Sequence, residues 1–182
     1  MTRSTSRRRT VLASLATLSL LTACSSPVGG NPSAISSPPA SSSSTSSSAG
    51  SDPFASLSPC TLLDQALKDE GYPAAAPNSG DPRHACEVSK PVYGGVGLQL
   101  QAGRNYKENI GDPSKGRTGD VNGRPAVQVK ERLGSKGDCE IFLDVSPNSR
   151  AIVLASLVNR NTDEACIYAG QEATKIEPLL PK

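Results

Sequence analysis

The chain has no tryptophan, only two phenylalanines and four tyrosines, one methionine and a single histidine. So few aromatics leave no stacking platform for single-stranded nucleic acid. They also deny a folded domain the large side chains that usually dominate core packing. With His84 alone, next to Arg83 and near Cys86 in an expected exposed turn, a Ser-His-Asp site has little to build on. No acidic residue precedes Asp52, whereas Arg3, Arg7, Arg8 and Arg9 all lie in the first ten positions. Those four arginines exceed the whole formal charge of +2, so the chain from Cys24 onward carries −2. The basic pI near 8.3 therefore belongs to the opening segment and gives no reason to expect a nucleic-acid partner. Pairs of the form Cys-x-x-Cys are also missing: Cys60, Cys86, Cys139 and Cys166 are spaced by 26, 53 and 27. Zinc has no ligand set in such spacings with one histidine, so neither metal nor cofactor is expected.

What the opening segment does have is an address. Its arginines precede an apolar run from Val11 to Leu21, about half of the roughly 20 residues that a spanning helix needs. A run of that length reads as a signal peptide over residues 1–23. It ends in Leu21-Thr22-Ala23-Cys24-Ser25, which resembles the bacterial lipobox. There a small residue precedes the cleaved bond and the Cys thiol is diacylated, so Cys24 is the expected lipidation site and the membrane the expected anchor. Arg8-Arg9-Thr10-Val11-Leu12 also resembles a twin-arginine export signal, and the route of export stays open. Residues 24–51 follow as the lipidated Cys and a tether. From Ser25 to Ser51 there is no charge and no aromatic, and Pro27, Pro32, Pro38 and Pro39 break long serine runs. Such a segment buries too little apolar surface to offset its ordering entropy and is expected to be disordered. As a flexible coil it reaches roughly 30 Å.

Pattern resumes in residues 52–182, expected to form one extracytoplasmic globular domain. Ser58 followed by Pro59 is a helix start, with Leu57 and Leu62 placed as a hydrophobic staple. The helix is predicted to run from Pro59 to about Glu70, stop at Gly71, and bury Leu62, Leu63, Ala66 and Leu67. Five stretches have strand character: Ala85 to Lys90, Val96 to Gln101, Ala126 to Glu131, Cys139 to Val145 and Ala151 to Val158. The turn-rich gaps between them predict an antiparallel meander. The polar stretch Gly103 to Arg124, with a short helical turn near Tyr106 to Ile110, is expected to be a long loop and the one most suited to touch a ligand. A closing helix should begin at Asn161 or Thr162, with Asp163 and Glu164 at its positive end, and stop at Pro178. Cys166, Ala169, Ala173 and Ile176 should face the sheet. The predicted class is α+β: an antiparallel sheet of about five strands with an N-terminal and a C-terminal helix packed on it, held by two disulfides.

An even count of four cysteines in an exported domain points to disulfides. Alternation puts Cys139, Ile141, Leu143 and Val145 on one strand face, and Cys166 shares that core from the last helix. Cys86 and Val88 share a face, with Cys60 in the first turn of the first helix. Pairing Cys60 with Cys86 and Cys139 with Cys166 closes two short loops, each worth about 3 to 4 kcal/mol in the chain-entropy view. The other two pairings stay open on the sequence.

Several short motifs form a set: Asp52-Pro53-Phe54, Ser58-Pro59-Cys60-Thr61-Leu62-Leu63, the Cys86 strand, Asn122-Gly123-Arg124-Pro125-Ala126, the Cys139 strand and the Cys166 helix. Together, over Asp52 to Pro181, they resemble the secreted actinobacterial lipoproteins catalogued as a domain of unknown function. A second similarity is to the extracellular sensor domains of mycobacterial Ser/Thr kinases, which share a two-disulfide α+β plan. One departure is that many members carry Trp shortly after the second Cys, where Glu87 and Val88 stand here. The resemblance implies an envelope location and helices on a sheet, and it carries over no catalytic residue.

Gly94-Gly95-Val96-Gly97 lacks the spacing and the following helix of a phosphate loop and reads as a flexible strand entry. Asp64, Asp69, Glu70 and Asp144 are spaced as on solvated faces, so no carboxylate pair for glycoside chemistry stands out. The expected function is a binding or sensing module of the cell envelope on the outer face of the membrane, for a small ligand, a wall component or an envelope protein. An envelope hydrolase with an unrecognised site is the alternative.

Overall fold

The computed structural model describes residues 52–182. The signal peptide, Cys24 and the tether lie outside the described residues. Helix α1 spans Pro59–Ala66, and the Ser58 side chain caps it by accepting from the Thr61 N–H at 3.3 Å. It stops four residues before the predicted Glu70. The Asp64 carboxylate accepts the Ala75 N–H at 2.7 Å, which folds the chain back along the helix. Asp69 and Gly71 make that reversal in left-handed conformations, at φ 69° and 71°.

Seven antiparallel strands follow: β1 Ala76–Pro77, β2 Ala85–Lys90, β3 Gly94–Ala102, β4 Gly116–Val121, β5 Arg124–Lys130, β6 Asp138–Ser146 and β7 Ser149–Leu157. Their order across the sheet is β1-β2-β3-β7-β6-β5-β4, so two expectations need correction. Seven strands replace about five, because β1 is a two-residue edge and β4 lies inside the stretch read as a loop. In β4 only Val121 is buried, so it has no alternation of its own and is a strand through its pairing with β5. Nor is the sheet a plain meander, since β3 pairs with β7 along its whole length. Strand β7 is buried almost throughout, and the sheet centre is the position that covers both of its faces.

One face of the sheet carries the helices. Leu98, Leu100, Cys139, Ile141, Leu143, Ala151, Val153 and Ala155 meet Leu63 of α1 and Ala165, Ala169, Ala173 and Ile176 of the second helix in one core. That helix, α2, spans Thr162–Ile176, with the Asn161 side chain accepting from the Glu164 N–H at 3.2 Å. The opposite face holds a smaller cluster of Val127, Val129, Phe142 and Ile152, against which Tyr106 and Ile110 pack. These two belong to residues 103–115, which connect the end of β3 to the start of β4. Successive strands run antiparallel in the order above, so that connection must travel the length of the sheet. Arg150, 3% exposed, fastens it: the guanidinium donates to the Asn105 carbonyl at 3.3 Å, to the Glu108 carbonyl, and to Gln101 Oε1 at 2.7 Å. A buried charge is stable only when so supplied with acceptors.

Two sulfur bridges join helix to sheet. Cys60 is bonded to Cys86 and Cys139 to Cys166, with Cα separations of 5.1 and 4.9 Å. A third fastening lies in the Asn122-Gly123-Arg124 turn, where Asn122 and Gly123 take the paired positive φ values, 51° and 84°, of a tight hairpin. Arg124 donates to Glu177 Oε1 at 2.9 Å and to the Asp144 and Pro181 carbonyls at 2.8 Å each. The motif that carried the resemblance thus clasps the C-terminal segment, whose Leu180 is buried in the core.

Candidate functional site

At one end of the sheet β2 turns into β3, β5 into β6, and β7 leads into α2. A groove of about 1090 Å³ opens there beside edge strand β4 and the first turns of α2. Lys115 ends a short 3-10 turn, Pro113–Lys115, just before β4, Arg117 comes from the start of β4, Lys130 from the end of β5, Lys136 from the β5–β6 turn and Arg160 from the β7–α2 turn. Against these five cations stand Glu131 and Asp163, and Asp163 is already paired with Lys130. Among the described residues Lys115, Arg117, Lys136 and Arg160 have no carboxylate within ion-pair distance. Lys130 holds the Asp163 carboxyl below the usual carboxylate range by a hydrogen bond and by its charge.

The groove has rigid walls. Its floor includes Gln128, whose side chain donates to the Cys166 carbonyl at 3.2 Å, and the bond from Cys166 to Cys139 ties α2 to β6. The Thr162 hydroxyl accepts from the Gly137 N–H at 3.0 Å and donates to Glu131 Oε1. That double bond of contacts joins the β5–β6 turn to the β7–α2 turn. Glu131 and Arg160 sit in left-handed conformations, at φ 48° and 59°. Two strained non-glycine residues on one rim mark a shape that the surroundings enforce. A second, narrower trough continues from Arg117 and Gln128 along β4 to Asn122, walled by Gly170 and Thr174 of α2.

A separate polar knot lies between the two helices. Glu172 on α2 is fully buried; one carboxylate oxygen meets Lys175 Nζ at 2.9 Å and the other has no partner. Lys175 also pairs with Glu70. Tyr168 donates to the Tyr72 hydroxyl at 3.0 Å, with Glu70 Oε2 3.3 Å away. Burial pushes the Glu172 carboxyl up despite Lys175. Burial also raises both phenols. Lys175 is pulled down by burial, yet its bonds to Glu70 and Glu172 outweigh this and keep it charged. Through Glu70 and Tyr72 the knot ties the segment after α1 to Tyr168 and Lys175 of α2.

Other positions singled out in the sequence are placed as follows. His84 is half-exposed in a turn and its Nδ1 donates to Asp81 at 2.8 Å; that bond lowers the Asp81 carboxyl. Gly94 opens β3 at φ 147°, where a Cβ would come 2.1 Å from the Ser156 carbonyl oxygen, so it is a close approach of strands and no flexible entry. Asp64 and Glu70 are not free solvated acids, since one holds Ala75 and the other Lys175. Among the described residues no three His, Cys, Asp or Glu side chains are grouped to hold a metal. None of their helices is long and apolar enough to cross a membrane. The groove cations escaped the sequence reading because they come from four separate segments. Only Lys115 and Arg117 lie in the stretch expected to touch a ligand, of which Gly116–Val121 is the strand β4.

The family model described as "Protein of unknown function (DUF3558)" matches residues 19–179. No curated protein and no solved structure matches the chain.

Proposed function

The chain belongs to the DUF3558 family, and from that premise we propose an envelope lipoprotein, anchored by lipid on Cys24, whose domain binds an anionic ligand in the groove beside β4. The observation that carries the reading is the convergence of Lys115, Arg117, Lys136 and Arg160, without carboxylate partners, on one groove of a domain whose formal charge is −2. Scattered cations on a net acidic surface would repel one another less than gathered ones. Gathering them stores an attraction for a phosphate- or carboxylate-bearing molecule. The two disulfides fit an oxidising compartment, in keeping with the lipobox at Cys24. The hydrolase alternative would build on His84 and Asp81. Among the described residues no hydroxyl or thiol side chain is bonded to that imidazole, and binding is the reading we put forward.

Titration of the protein with tripolyphosphate, followed calorimetrically at low and moderate salt, tests the groove. Binding should weaken with salt, and Lys136→Glu with Arg160→Glu should reduce affinity by about tenfold or more. Equal binding by the double variant, or none by the parent, would overturn the groove assignment. Lipidation has its own test: Cys24→Ala should move the protein out of the detergent phase, and unchanged partition would refute the anchor.

A further inference from the structure

The exposed large hydrophobic side chains among the described residues are Val92, Tyr93, Leu133, Val158 and Ile167, and all five lie at the groove end of the sheet. Val92 and Tyr93 are in the β2–β3 turn, Leu133 in the β5–β6 turn, Val158 after β7, and Ile167 in the second turn of α2. The opposite end, with the β4–β5 and β6–β7 turns, has none. We propose that this end of the domain docks on an anionic lipid bilayer, with Val92, Leu133 and Val158 entering the headgroup region.

Three observations select a bilayer as the occupant. Val92, Leu133 and Val158 are 92%, 77% and 59% exposed and stand on turns at one end of the sheet, as apolar side chains that enter a headgroup layer do. Two of the turns carry an unpaired cation beside the apolar side chain: Lys136 follows Leu133, and Arg160 follows Val158. Apolar tips with adjacent basic residues match the layered chemistry of an anionic membrane surface. Third, only 27 residues separate Cys24 from Asp52, so a chain anchored at Cys24 keeps its domain within reach of the bilayer. This last point rests on the lipid anchor; the first two do not.

The turns are held firmly enough to act together. Val158 donates its N–H to the Tyr93 carbonyl at 3.0 Å, and the Tyr93 ring stands edge-on to Tyr168 with centroids 5.4 Å apart. The β5–β6 turn is fixed to the β7–α2 turn through Thr162. Docking therefore presents a preformed surface and costs little ordering.

The absence of tryptophan permits a clean measurement. Single substitutions Val92→Trp, Leu133→Trp and, at the opposite end, Asn148→Trp would be made in the full chain and mixed with phosphatidylglycerol vesicles containing brominated lipid. Fluorescence at positions 92 and 133 should shift to the blue and be quenched, while position 148 should do neither. In phosphatidylcholine vesicles the quenching at positions 92 and 133 should be weaker, the docking equilibrium falling by about fivefold for each basic side chain that contributes. Val92→Asp with Leu133→Asp should abolish vesicle docking and leave tripolyphosphate binding intact, which separates this proposal from the groove reading. If the chain sediments with vesicles but position 133 stays unquenched, the anchor stands and the docking surface is refuted. Equal quenching in phosphatidylcholine would refute the role given to the cations.

Discussion

A Cβ placed on Gly137 would lie 2.7 Å from the Arg160 Cα and 2.8 Å from the Leu157 carbonyl oxygen. The β5–β6 turn and the β7–α2 turn are thus in backbone contact, and each carries a groove cation, Lys136 and Arg160. Gly137 is also at φ 87°, so a side chain there would meet both a steric and a torsional penalty.

Gly137→Ala is expected to destabilise the domain by roughly 2 to 4 kcal/mol, read as a lower denaturation midpoint in urea. Because the strain is released by parting the two turns, tripolyphosphate affinity should fall as well. Gly134→Ala makes the comparison: its φ of 86° gives the torsional penalty with nothing within 4 Å, so it should cost less and leave binding alone.

Arg150→Met should free residues 103–115 from the sheet. It retains most of the packing on Phe142, whose ring centroid lies 5.0 Å from the guanidinium, but leaves the Asn105 and Glu108 carbonyls without their donor. A loss of about 2 to 4 kcal/mol follows from breaking so buried a set of charged hydrogen bonds. Amide exchange should quicken first in residues 105–110. Arg150→Lys should restore little, since an ammonium lacks the planar fork that reaches three acceptors.

Two buried carboxyls give the stability curve opposite slopes. Bonds from Lys182, Arg124 and Asn122 hold Glu177 down to about 2. A depressed folded value contributes stability above the ordinary 4.5, and this is lost as pH falls toward 2. Glu172 is shifted the other way by burial. Its contribution is complete below 4.5 and disappears as pH rises through the folded value. Glu172→Gln should flatten the decline on the alkaline side, and Glu177→Gln the decline below pH 4.5, when unfolding is followed across pH. Unaltered profiles in both variants would show that neither carboxyl is linked to folding.

Replacing Cys139 and Cys166 together by Ala should cost about 3 to 4 kcal/mol, the entropy of the loop that their bond closes, and lower the thermal midpoint by roughly 10 to 20 °C. Cys60 and Cys86 should stay protected from alkylation in the folded double variant. Because Cys166 lies on the groove wall, ligand affinity should weaken too, whereas removal of the Cys60–Cys86 bond should leave it unchanged.

Residue type and spacing alone determined the parts of this protein whose physics is local. Ser58-Pro59 starts α1 and Asn161 caps α2 because a side-chain oxygen meets an N–H three residues on. Cys139, Ile141 and Leu143 share the core face because strands alternate with period two. Tertiary structure decided what depends on neighbours distant in the chain. Strand β4, with one buried side chain, exists through β5, and β7 lies between β3 and β6 because only the sheet centre buries both of its faces. The groove belongs to this second class. Lys115, Lys130, Lys136 and Arg160 are strangers in sequence, and they become one electrostatic site because three strand ends and a helix start meet at the same end of the sheet.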